Sequence, residues 1–105
     1  MFRPESVNIL GKTYRIIYVD NPAEVDWQKR RSLWGQIDYW TRTIRVYDNQ
    51  RGDDDRLDAI LHEVLHHLDE HLDLGLGSES EEHKKIELLS VALADVLLRN
   101  GWMAK

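Results

Sequence analysis

The chain has no cysteine among its 105 residues. Disulfides and thiolate metal sites are therefore excluded, and any bound metal must be held by His, Asp or Glu. An absence of disulfides fits a reducing compartment. Long hydrophobic runs are missing as well. The most apolar segment, Ile86 to Leu98, is broken by Glu87, Ser90 and Asp95, and it is shorter than the ~20 residues of a membrane span. The opening Met1-Phe2-Arg3-Pro4-Glu5 carries no apolar stretch of the signal-peptide kind. These features lead us to expect a soluble, cytoplasmic protein with no membrane partner. Positive charge is in short supply too. Lys and Arg number 14 against 19 Asp and Glu, for a net charge of −5. The densest basic group, Lys29-Arg30-Arg31, reads as a solvated face, so no nucleic-acid partner is expected.

What is present suits a folded domain: 42% hydrophobic and 31% charged residues, ordinary proportions for a globular chain. The length allows one hydrophobic core and one domain, residues 1–105. Val7-Asn8-Ile9-Leu10 and Thr13 to Val19 are β-branched and aromatic runs about Gly11-Lys12, which predicts a β-hairpin. Asn21-Pro22 ends it and favours a short helical turn from Pro22 to Trp27. Gly35 to Trp40 and Thr43 to Tyr47 alternate in period two around Thr41-Arg42, predicting a second hairpin. Asp53-Asp54-Asp55 starts a helix, where carboxylates meet free N–H groups and the positive end of the dipole. From Asp54 to Leu72 the apolar residues Leu57, Ile60, Leu61, Val64, Leu65, Leu68 and Leu72 recur every three or four positions, one stripe of an amphipathic helix. Gly75 and Gly77 stop it. A second helix is expected from Glu81 to Arg99, closed by Asn100-Gly101. Strands first and helices second imply an α+β fold: a small N-terminal antiparallel sheet of two hairpins, followed by two packed helices.

The chemistry concentrates on the first helix. His62 and His66 stand four residues apart, hence one turn apart on one face, which lets two imidazoles hold one zinc. That face lies nearly opposite the centre of the apolar stripe. Glu63 is too close in sequence to ligate the same ion comfortably, but is placed to bond a water held by it, as in the H-E-x-x-H arrangement of zinc hydrolases. A catalytic zinc needs a third protein ligand and an open position, and the second helix must supply the ligand. Glu87 sits on a stripe with His83, Ser90 and Ala94, where an unpaired carboxylate between apolar neighbours is costly. Glu87 is the expected ligand, with His83, one turn earlier, as its rival. His71 points towards the apolar stripe and reads as a packed or flanking histidine.

The stretch from Ile44 to Asn100 resembles the small zincin-like metallopeptidases of the gluzincin type, including ImmA/IrrE-like domains and short zincin-like proteins of phages and prophages. The residues carrying the resemblance are Ile44 to Tyr47, Leu57 to His66 with its His62-Glu63-Val64-Leu65-His66 motif, and Ile86 to Leu93. The resemblance implies a minimal zincin-like fold, Zn2+ bound by His62, His66 and Glu87, and Glu63 as general base. The metzincin branch requires Gly at position 69 and His at 72; Asp69 and Leu72 exclude it. The expected activity is that of a zinc-dependent peptidase using a metal-bound water, on a peptide or protein substrate paired along an edge strand of the Gly35–Tyr47 hairpin. His67, His71 and His83 are the candidates for stabilising the oxyanion. The competing expectation is a non-catalytic binding or regulatory module of the same fold with a structural zinc. The sequence names neither the substrate nor an oligomeric state.

Overall fold

The computed structural model describes residues 1–21 and 35–103; the helical turn expected between Pro22 and Trp27 lies outside them. Four strands precede two helices: β1 (Ser6–Ile9), β2 (Lys12–Val19), β3 (Gly35–Asp38), β4 (Thr43–Tyr47), α1 (Asp53–Leu72) and α2 (Glu79–Arg99). This is the expected α+β arrangement. Both hairpins form: β1 pairs antiparallel with β2, and β3 antiparallel with β4. They join through a parallel pair, β2 against β4, with Ile16 level with Ile44. The sheet is therefore mixed, in the order β1-β2-β4-β3, with β3 at one edge.

The first hairpin turns at Leu10-Gly11, where both residues have positive φ, 52° and 83°. That pattern matches the right-handed twist of the flanking strands. It places leucine in a conformation that glycine or asparagine adopts more easily.

Alternation along the strands sends Ile9, Tyr14, Ile16, Ile44 and Val46 to one face of the sheet, where they meet Ala59 and Ile60 of α1. α1 is the middle layer: β3 and β4 lie on one side and α2 packs against it on another. Its buried residues include Leu57, Ala59, Ile60, Glu63 and His67. The buried face is thus rotated from the apolar stripe towards Glu63 and His67. Leu61 and Leu65 are only partly covered, and Leu72 is exposed. The sheet, being the larger surface, sets which side of the helix is covered.

α1 begins at Gly52, whose N–H is taken by the Asp55 carboxylate at 3.2 Å. α2 begins at Ser78, which exchanges hydrogen bonds with Glu81 in a capping box. Arg56 locks the chain start to α1. Its guanidinium is buried, donates to the Phe2 and Arg51 carbonyls and pairs with Asp48 at 3.1 Å. Among the described residues no helix is long and apolar enough to cross a membrane.

Candidate metal centre

The turn between the helices returns α2 alongside α1, which brings residues far apart in sequence into one cluster. His62, His66 and His83 each offer a ring nitrogen, and these atoms lie within 4.8 Å of one another. The Nε2 atoms of His62 and His66 face each other at 3.1 Å. Two nitrogens bound to one tetrahedral zinc at ~2.0–2.1 Å would be about 3.3 Å apart. The spacing within the pair therefore fits a shared ion, and a metal would replace the proton that one ring must now lend the other. The His83 ring lies 5.2 Å from that of His62 and 5.7 Å from that of His66, centroid to centroid.

Electrostatics keep the pair in the neutral form a metal requires. Burial pushes His66 down to about 4, helped by its neighbours His62 and His83. Burial also lowers His62, followed by the effect of His83, while Asp58 and Glu87 pull the other way. The outer nitrogen of His66 is held as well: Nδ1 lies 2.9 Å from a Glu82 carboxylate oxygen. With Nδ1–H donating there, Nε2 carries the lone pair, which is how carboxylates commonly orient metal-binding histidines. Glu82 in turn bonds to Asp69, and this bond, together with burial, pushes the Glu82 carboxyl up to about 7. Sequence reading missed Glu82 and Asp69, because their role depends on how the two helices align. Nothing in the local pattern separates Glu82 from the other acidic residues of the first turn of α2.

Glu87 lies outside this cluster. It is exposed, one turn beyond His83, and reaches His62 through its charge. Glu63 sits on the neighbouring stripe of α1, 7% exposed. Burial pushes its carboxyl up to about 7, and the backbone N–H of Ile37 in β3, donating to it, partly offsets that rise. The remaining histidines form a second group. His67 is buried, with Nε2 2.8 Å from the Tyr14 hydroxyl. It stacks on His71, with ring centroids 4.1 Å apart. Tyr39 meets both rings edge-on. His67 thus packs between the sheet and α1, one turn from Glu63, with the exposed His71 stacked on it, while His83 belongs to the metal-type cluster. Tyr39, also unflagged by sequence, bonds to Glu70, and burial, followed by the Glu70 and Glu63 charges, raises its hydroxyl pKa.

Two buried side-chain atoms in this region have no hydrogen-bond partner among the described residues, Asp58 Oδ1 and His67 Nδ1. Asp58 stands one turn before His62, where a positive charge on the histidine cluster would compensate it.

No family model matches the chain, and neither curated proteins nor solved structures yield a match.

Proposed function

We propose that the chain is a zinc-dependent hydrolase acting on peptides. The observation that carries the reading is the convergence of His62, His66 and His83 from two helices, with Glu63 adjacent in the H-E-x-x-H motif. His62 and His66 would hold the zinc through Nε2, and His83 would complete the protein ligands from α2, with Glu87 the competing donor one turn on. Bound there, zinc supplies a Lewis acid that polarises a carbonyl and brings the pKa of a coordinated water to about 7.

The chain's own residues supply the rest. Glu82 fixes the tautomer and orientation of His66. Glu63, with a carboxyl near 7, is suited to accept a proton at neutral pH and hand it on to a leaving amine. β3 lies at the sheet edge and packs against α1, and its Ile37 amide meets Glu63. An extended peptide added to that edge runs past the Glu63 carboxylate, which favours a peptide over a small rigid substrate.

The second reading, a regulatory or binding module with a structural zinc, is favoured by one observation: Glu63 is turned beneath β3 and is not a member of the histidine cluster. One experiment separates the two. Zinc content is measured by elemental analysis, and a peptide library is incubated with the native chain and with Glu63→Gln. The hydrolase reading expects about one zinc in each protein and cleavage by the native chain alone. Zinc binding with no cleavage by either protein leaves the structural module, and the absence of zinc overturns both.

A further inference from the structure

α2 buries a narrow seam. Ile86, Ser90 and Ala94, four residues apart, face α1 and are the buried residues of this 21-residue helix. Away from that seam Leu88, Leu89, Leu93 and Val96 are 66%, 45%, 38% and 43% exposed. At about 100° per residue, Leu89, Ala92, Leu93 and Val96 form one stripe, and Leu88 borders it. With Val91, 56% exposed on the other side of the helix, five large apolar side chains of α2 are left in water; this exceeds the scattered exposure normal for a surface, and the stripe marks a contact face.

The charges beside the stripe specify what covers it. Glu81, Lys85, Asp95 and Arg99 are all exposed and lie along the same flank. Within the chain Glu81 caps Ser78, Lys85 reaches the Leu76 carbonyl and Asp95 pairs with Arg99, exposed contacts that cost little to exchange. Glu81 and Arg99 are eighteen residues apart, about five turns, so they share one line along the helix. Lys85 and Asp95 straddle that line. Both opposite-charge pairs have the same midpoint, Ser90. A second α2 laid antiparallel about a two-fold axis at the level of Ser90 therefore meets its own complement: Glu81 opposite Arg99, Lys85 opposite Asp95, each twice. In the same register Leu88 of one copy faces Ala92 of the other, and Leu89, Leu93 and Val96 lie between the charged ends. A parallel alignment would set like charges side by side.

We infer that the chain forms a two-fold homodimer through the exposed face of α2. Isologous pairing of this kind uses one patch twice, and complementary charges fix its register. His83 sits on the α1-facing side of α2, away from the stripe. The contact is a single helix pair, at the small end of specific interfaces, so association in the micromolar range is expected.

Sedimentation of the native chain over about 1–200 μM, bracketing that range, is expected to show conversion from monomer to dimer. Leu89→Glu, at an exposed position, should stay monomeric with unchanged helix content. Because the chain lacks cysteine, register is read directly. Leu88→Cys and Ala92→Cys chains, mixed and mildly oxidised, should cross-link with each other several-fold more than either does alone. Three results overturn the inference: a native chain monomeric throughout, which leaves the face to a different partner; Leu89→Glu dimerising as the native chain does; or equal cross-linking in mixed and unmixed samples.

Discussion

Glu63 and the histidines titrate in opposite directions, and that opposition can be measured. The Glu63 carboxyl rises from 4.5 to about 7 on folding. Its contribution is fully present below pH 4.5 and is lost as the pH rises through 7, because burying the ionised form then opposes folding. Glu63→Gln should therefore gain on the native chain as pH rises. The difference in unfolding temperature, variant minus native, is expected to be larger at pH 8 than at pH 5. A constant difference, read by circular dichroism, would show that Glu63 is not desolvated. His66 runs the other way: with its folded value near 4, its contribution is complete above pH 6.5 and is lost as pH falls from 6.5 towards 4. At the proposed zinc site, His62→Ala and His66→Ala should each lower zinc affinity at least tenfold. Of the two variants on α2, His83→Ala should cost more than Glu87→Ala. Titration against a zinc chelator decides this, and the reverse order transfers the third ligand position to Glu87. Glu82→Gln, which weakens the anchor on His66 Nδ1, should cost about 10–100-fold in affinity, as loss of such partners commonly does.

Within single elements, two places combine strain or burial with a clear remedy or penalty. The first hairpin holds Leu10 at φ 52° and 52% exposed, so its side chain gains little in return for the strain. Leu10→Asn gives the Asn-Gly pair this turn favours and should stabilise the fold by about 1 kcal/mol; urea denaturation checks it, and a loss of stability would show that Leu10 makes a needed contact. Arg56 is the opposite case. Asp48 is held by Arg56 and Arg3, and Arg56→Met would leave a mostly buried carboxylate with, among the described residues, only the half-exposed Arg3 as a charged partner. A cost of about 3 kcal/mol is expected, accompanied by release of the Phe2 backbone that Arg56 holds and seen as faster amide exchange at the chain start. A cost below about 1 kcal/mol would place the pair among ordinary surface ion pairs.

For the whole molecule, the metal would join two layers. His62 and His66 belong to the middle layer and His83 to the outer one, and α2 buries only a narrow seam of its own. Zinc at 100 times its dissociation constant adds about 2.7 kcal/mol, and for a chain of this size that corresponds to roughly 10 °C or more in unfolding temperature. Adding zinc to the native chain should produce such a shift and a chelator should reverse it, while the His62→Ala/His66→Ala double variant should show none. Hydrogen exchange should locate the added protection in α2, since that is the layer the ion ties down.

Sequence alone set the elements. β-branched and aromatic runs and period-two alternation set four strands, a three-and-four stripe set α1, and Asn100-Gly101 closed α2, because these signals act over a few residues of backbone. It also placed His62 and His66 on one face, a consequence of helical pitch alone. Tertiary packing settled how those pieces meet. The two hairpins join through a parallel pair, which depends on the connection between β2 and β3 and not on either hairpin. The sheet covers Glu63 and His67 in preference to Leu61 and Leu65, because the buried side of a helix is set by the surface it packs on. It also decided which residues of α2 stand beside the histidine pair. Alignment between two helices follows from the packing of Ile86, Ser90 and Ala94 and from the length of the turn, so it put His83 and Glu82 at the cluster and left Glu87 one turn away.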